Sequence, residues 1–269
     1  MILFPNGKIN LGLSVLHKRT DGYHDIETII YPAPVFDVLE FLPSQTFKLT
    51  VYGYKVTGRT EENIVYKTWK LLHDACQIEP VDVRLLKNIP PGSGLGGGSS
   101  DGVFFLKALN VFFRLALTET LFHKYALQLG SDCPFFLNNN PALVQGRGEI
   151  VHEAHVNLKG KFLVVVFPGI HIPTQEAYKK ITPATTRMLP GEVTKLPVEQ
   201  WPDKLHNDFE PYLFKLHPEL KEIKNILYRE GAIFASLTGS GSAFYGIFDK
   251  PIQLKHKFPG YFVRSGTLI

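Results

Sequence analysis

At 269 residues, with 44% hydrophobic and 20% charged residues, the chain has material for one large core or two modest ones, which excludes a disordered tract and a small stapled scaffold. No apolar run approaches the roughly 20 residues of a spanning helix, so no membrane partner is expected. The net charge of +4 comes from 29 basic and 25 acidic residues, the basic ones scattered rather than clustered with aromatics, so nucleic acid is not an expected partner either.

From the N-terminus, the chain reaches Pro5, Gly7 and Lys8 before a signal-type apolar stretch can form, which predicts a cytoplasmic protein. Residues 9–16 and 35–42 are apolar, β-tolerant runs, and Phe47, Leu49 and Val51 alternate with polar residues as a half-buried strand does, so an N-terminal sheet is predicted. Residues 61–76 space Ile64, Val65, Trp69, Leu71 and Leu72 as a helix would. Residues 81–86 alternate again before Pro90 and Pro91. Residues 99–114, apolar on nearly every face, read as a buried helix. A second helix starts at the N-cap Thr118 and stops at Gly130, which leaves Asp132 on a loop just past its end. Further on, residues 162–167 form a continuous β-branched and aromatic run, helices are predicted over 174–181 and 218–230, and the apolar stretch 234–248 is interrupted by Thr-Gly-Ser-Gly-Ser. Cys76 and Cys133 have neither a C-x-x-C spacing nor histidine partners at metal-ligand spacing, so two reduced thiols are expected and no metal site.

The segment 90–101, Pro-Pro-Gly-Ser-Gly-Leu-Gly-Gly-Gly-Ser-Ser-Asp, carries five glycines in the seven positions 92–98, directly before a predicted helix. Backbone without Cβ atoms can turn its N–H groups inward and approach a ligand closely, and a helix start adds partial positive charge. Together these make a cradle for phosphate oxygens from Gly92, Ser93, Gly94, Leu95, Gly96, Gly97 and Gly98, to which the hydroxyls of Ser99 and Ser100 add donors or a hold on Mg²⁺. The plainer alternative is a flexible turn with Ser99 or Ser100 as helix cap and Asp101 in the first turn. Gly92, Gly94 and Gly97 also satisfy G-x-G-x-x-G, but a dinucleotide fold needs a second strand ending in an acidic residue about 20 positions on, and another helix follows here. The P-loop pattern fails as well, because no Lys-Ser or Lys-Thr follows the last glycine.

Three segments in order, 5–11 (Pro-Asn-Gly-Lys-Ile-Asn-Leu), 90–102 and 237–244 (Leu-Thr-Gly-Ser-Gly-Ser-Ala-Phe), resemble the motifs of the GHMP kinases of small-molecule alcohols. Segments 18–28, 130–136, 168–174 and 207–210 are similar to the branch of that family whose alcohol carries a cytidine diphosphate and lies on the non-mevalonate route to isoprenoids. Gly7 and Ser131 stand where many relatives carry alanine, both small changes. The resemblance implies an α+β, two-lobed GHMP kinase fold: a ribosomal-S5-like β/α lobe for ATP over 1–152 and a ferredoxin-like α+β lobe over 153–269, with ATP and the alcohol meeting in the cleft between them.

The same resemblance assigns roles that isolated residues would not justify. Asp132, on its own a turn aspartate, becomes the group that accepts the alcohol proton, and Lys8, on its own a solvated lysine, keeps that carboxylate ionised and stabilises charge on the attacking oxygen. Tyr23 and His24 are implied to meet the cytidine, Tyr178 to supply the other face of the stack, and Asn10 and Thr174 to touch the substrate. Asn63, Lys67 and Lys87 border the adenine and phosphates. Residues 238–242 either support the phosphate loop or form a simple hairpin turn. Mg²⁺ is expected to accompany ATP, without a dedicated carboxylate cage. Two rival readings remain: a related kinase acting on mevalonate, homoserine or a sugar, and a catalytically silent binding protein on the same fold.

Overall fold

A computed structural model describes residues 1–181 and 188–269. The first half runs β1 (Ile2–Leu3), β2 (Asn6–Lys18), β3 (His24–Phe36), β4 (Val38–Pro43), β5 (Lys48–Gly53), α1 (Ile64–Cys76), β6 (Val81–Lys87), α2 (Gly97–Phe112), α3 (Glu119–Leu129) and α4 (Phe135–Asn138). The second half runs β7 (Ala142–Gly146), β8 (Ile150–Glu153), β9 (Phe162–Phe167), α5 (Thr174–Lys179), α6 (Pro190–Val193), α7 (Glu210–Leu216), α8 (Pro218–Arg229), β10 (Phe234–Leu237), β11 (Phe244–Phe248) and β12 (Phe262–Thr267). The expected α+β class is borne out. Among the described residues, no helix is long and apolar enough to cross a membrane.

Contacts divide the chain into two compact units, each assembled from separate stretches. The first comprises Met1–Gly7, Phe36–Pro91 and Gly96–Asn139. Its sheet has the order β1-β4-β6-β5, in which only the β5–β6 pair is parallel. Along β6 the buried face is Val81, Val83, Leu85 and Lys87, and the other face is Asp82, Arg84 and Leu86. Leu39 and Phe41 of β4 share a core with Val65, Trp69 and Leu72 of α1 and Phe105, Leu106 and Leu109 of α2. Spacings of three and four residues along each helix turn these side chains to one face, and their burial removes the apolar area that stabilises the unit.

The second unit comprises Lys8–Val35, Gly92–Leu95 and Asn140–Ile269. It holds two sheets, β2-β3-β7-β8 and the antiparallel β10-β11-β9-β12. All six residues of β9, which pairs with β11 and β12, are buried, so both faces of this strand are covered. Leu220, Ile223 and Leu227 of α8 pack into the same core as Val164 and Val166 of β9 and Phe244 of β11.

Three element boundaries differ from expectation, each for a local reason. The apolar run 35–42 is cut at Asp37, whose N–H donates to Pro5 O at 2.9 Å and whose carboxylate leaves the strand for other partners, so β3 ends and β4 begins there. Helix α1 begins at Ile64 rather than 61, because the Asn63 side chain caps it by accepting the Val65 N–H at 2.9 Å. Helix α2 begins at Gly97 rather than 99, with Gly96 as its left-handed cap.

Candidate active site

The second unit carries the first half of the glycine loop. Gly94 has a φ of +85° and lies so near the 238–242 turn that a Cβ on it would sit 2.3 Å from Thr238 O, so only glycine fits. The loop is fixed from two sides: Lys8 N–H donates to Leu95 O at 2.8 Å and Ala243 N–H to Ser93 O at 3.1 Å. Residues 238–242 join β10 to β11, and they also support the loop.

Lys8 and Asn10, two apart on β2, belong to the same network. Lys8 is 4% exposed and its ammonium donates to Asn10 Oδ1 at 2.6 Å. Asn10 Nδ2 donates to Thr28 Oγ1 at 3.1 Å, and the Thr28 hydroxyl donates to Gly12 O at 2.5 Å. Thr238 Oγ1 accepts the Asn10 N–H at 3.1 Å. Its single proton can go to Asn10 Oδ1 or to Gly94 O, each at 3.2 Å. Tyr245 OH donates to Asn10 O at 2.9 Å. A lysine this buried needs such acceptors, and the network holds its ammonium in one place.

Asn207 completes the frame: 1% exposed, it donates from Nδ2 to Leu237 O at 3.1 Å and Gly239 O at 2.9 Å, while its Oδ1 accepts the Phe209 N–H at 3.0 Å. Sequence reasoning gave Asn207, Thr28 and Tyr245 no role. The signal for Asn207 was its place in Asn-Asp-Phe-Glu, a polar pair directly before a buried aromatic.

Aromatic side chains gather at a second place in this unit. The His24 and Tyr178 rings stack, with centroids 5.3 Å apart and planes 21° from parallel, and Tyr178 meets Phe209 edge-on at 4.9 Å. Tyr23 is exposed, with the Arg147 guanidinium 5.1 Å from its ring centroid. Thus His24, not Tyr23, faces Tyr178. Burial, reinforced by the nearby Lys18 charge, lowers the pKa of His24, which favours a neutral imidazole with one donor and one acceptor nitrogen. Thr174, the first residue of α5, shares a hydrogen bond of 3.0 Å with the Ser240 hydroxyl.

In the first unit, Gly98 near the start of α2 is exposed, and nothing lies within 4 Å of where its Cβ would be. Open backbone near a helix N-terminus is what a phosphate group requires. Asp132 lies in the turn between α3 and α4. Its neighbour Cys133 is buried, with its thiol 3.9 Å from Ser99 O, so this turn abuts the start of α2. Burial pushes the Cys133 thiol up to about 12, so it is inert near neutral pH, and both cysteines are free. Asn139, just after α4, exchanges amide hydrogen bonds of 2.8 and 3.1 Å with Asn6, two residues before Lys8.

Of the residues expected to border ATP, Asn63 caps α1 and Lys67 is exposed one turn on. Lys87 is 3% exposed and its ammonium bonds to Asp37 and Asp101. Among the described residues, no group of three or more His, Cys, Asp or Glu could hold a metal ion.

The glycine loop leads straight into the N-terminus of α2, an arrangement that suits phosphate groups. Residues 63–140 match the GHMP kinases N terminal domain and residues 198–263 the GHMP kinases C terminal domain. The chain is 44% identical to 4-diphosphocytidyl-2-C-methyl-D-erythritol kinase of Bacteroides thetaiotaomicron over 93% of its own length and 92% of the relative's. Against the enzyme of that name in Parabacteroides distasonis it is 42% identical over the full length of both. A crystal structure of 4-(cytidine 5'-diphospho)-2C-methyl-D-erythritol kinase superposes with a TM-score of 0.85 at 31% identity, covering 98% of each chain. Homoserine kinase from Cytophaga hutchinsonii, at 16% identity and a TM-score of 0.63, shares the fold alone. The chain belongs to the family of 4-diphosphocytidyl-2-C-methyl-D-erythritol kinases, within the GHMP kinases.

Proposed function

We propose that the chain transfers the terminal phosphoryl group of ATP to the 2-hydroxyl of 4-diphosphocytidyl-2-C-methyl-D-erythritol, on the non-mevalonate route to isoprenoids. The observation that carries this reading is the end-to-end likeness to kinases of that name, at 42% to 44% identity, in a chain whose glycine loop and Lys8 are held by hydrogen bonds. The partners assigned are small molecules, not nucleic acid, and a reaction that consumes ATP suits the cytoplasm.

Phosphoryl transfer asks little covalent chemistry of a protein, so positioning and charge compensation dominate. The backbone N–H groups of residues 92–98 and the α2 N-terminus receive the triphosphate, with Ser99 and Ser100 at the helix start and Asn63 and Lys67 bordering the nucleotide. Asp132 takes the proton of the attacking hydroxyl, and Lys8, held by Asn10, offsets the charge that grows on that oxygen. Tyr23, His24 and Tyr178 receive the cytosine: the rings offer stacking area and the neutral His24 can bond the base edge. Thr174 and Asn10 complete the alcohol side.

Mg²⁺ fits this site as an ion carried by the triphosphate rather than one caged by protein, since it keeps several waters and needs one or two protein oxygens. When bound, it neutralises phosphate charge, and Ser99, half-buried at the helix start, is the side chain placed to hold it. Asp132→Asn tests the assignment: turnover should fall about 10²- to 10⁴-fold, the usual range for a lost general base, while calorimetric binding of Mg-ATP stays close to wild type. Near-normal turnover would remove Asp132 from the role.

A further inference from the structure

We propose that Asp37, Lys87 and Asp101 form a buried clamp that holds the start and the end of the phosphate loop at a fixed spacing, which makes all three positioning residues for ATP. The inference rests on the assignment of residues 92–100 to the ATP phosphates.

Lys87 comes from β6, Asp101 from α2 and Asp37 from the junction between β3 and β4, all within one compact unit. Val38 of β4 pairs with Leu86 of β6, so Asp37, one step before β4, lies opposite Lys87 on the buried face. Asp37 is fully buried. Its Oδ1 accepts the N–H groups of Asn88 at 2.6 Å and Ile89 at 2.8 Å, the two residues that lead into Pro90, and its Oδ2 accepts the Lys87 ammonium. The same ammonium donates to Asp101 Oδ2 at 2.7 Å. Asp101 lies in the opening turns of α2, immediately after the loop. One lysine thus bridges the carboxylate that fixes the chain before the loop and the carboxylate that fixes the helix after it.

Two further observations favour a positioning role. Gly97, the first residue of α2, sits against this cluster: a Cβ there would lie 2.8 Å from the Ile89 side chain and 3.2 Å from Asp37 Oδ2. The helix start therefore rests on the cluster itself. Asp101 Oδ1 and Ser100 Oγ are buried without hydrogen-bond partners among the described residues, so the bond to Lys87 is what the Asp101 carboxyl contributes there. Burying three ionisable groups is costly, and hydrophobic side chains of similar volume commonly stabilise as well or better. Loop geometry is what those side chains would not supply.

The test compares Lys87→Met, Asp101→Asn and the double variant with wild type, reading thermal midpoint, Mg-ATP affinity by calorimetry, and KM for each substrate. Lys87→Met keeps the apolar stem and removes the bridge. It should raise the ATP KM about tenfold or more, because small displacements of positioned groups cost large factors, and leave the KM of the alcohol unchanged. Asp101→Asn keeps an oxygen for the ammonium and should raise the ATP KM less than Lys87→Met does; an equal or larger rise would overturn a bridge made through that oxygen. The double variant relieves the carboxyl that Lys87→Met leaves without its ammonium, so it should recover thermal stability without recovering ATP affinity. Wild-type ATP affinity in folded Lys87→Met, or joint recovery of stability and affinity in the double variant, would overturn the clamp alone. Absence of ATP binding by the wild type would overturn the loop assignment as well.

Discussion

Asp101 and Lys87 show how a single burial decides chemistry. One ammonium serves two carboxyl groups, and burial, with the neighbouring Asp37 charge adding to it, pushes the Asp101 carboxyl up to about 8 against the opposing pull of Lys87. An acid whose folded value lies above its unfolded value of about 4 stabilises the fold fully below the unfolded value, and that contribution is lost as pH rises through about 8. Asp101→Asn cannot ionise, so its stability relative to wild type should climb between about pH 5 and pH 8, measured by urea unfolding at both ends. A difference that stays level would show that Asp101 carries no proton in the folded state at pH 5. The alternation read over residues 81–86 stops one residue short of Lys87, which the resemblance assigns to the adenine and phosphates; the structure carries the alternation on, with Lys87 in phase with Val81, Val83 and Leu85 on the buried face. Its partners were not legible, because Asp37 and Asp101 lie 50 and 14 residues away, the first brought in by the β4–β6 pairing and the second by helix α2. The direct His24–Tyr178 contact was not legible either, although the resemblance assigns both rings to the cytidine, since the start of β3 and helix α5 lie far apart in sequence and carry no signal of mutual contact.

At the scale of elements, the loop and the β10–β11 turn act as one piece. Gly94 can approach Thr238 O only without a side chain, and the Thr238 hydroxyl is shared between Gly94 O and Asn10. Gly94→Ala would place a methyl 2.3 Å from that carbonyl at a φ of +85°. Left-handed strain alone costs about 1–2 kcal/mol, so Tm should fall by at least about 2 °C, and ATP affinity should fall with it. Calorimetry of the folded variant checks both, and an unchanged midpoint would mean that the loop moves aside freely. Alternation made β6 readable and the spacing of Leu220, Ile223 and Leu227 suits α8, whereas β9 stood out as an unbroken apolar run and α2 as a stretch apolar on nearly every face. The short helices α4, α6 and α7 were not: four to seven residues hold too few turns for a period to register. The α2 start was placed two residues late, because glycine at 97 and 98 argues against a helix until the left-handed cap at Gly96 is known.

For the whole molecule, the mixed fold and the kinase family could be read from three ordered motifs, whereas the makeup of the compact units could not. Each unit gathers stretches from distant parts of the chain, and residues 92–95 belong with the second unit while the helix they lead into belongs with the first. No composition shift marks such an exchange. Within the second unit the loop, Lys8, Asn10 and Thr238 are joined by hydrogen bonds that span most of the sequence. The direct test is ATP consumption by the purified protein with Mg²⁺ and 4-diphosphocytidyl-2-C-methyl-D-erythritol, beside mevalonate, homoserine and galactose. Turnover confined to the cytidyl alcohol is the predicted result. Turnover with another alcohol instead would contradict the assigned substrate, and turnover with none would contradict the kinase itself.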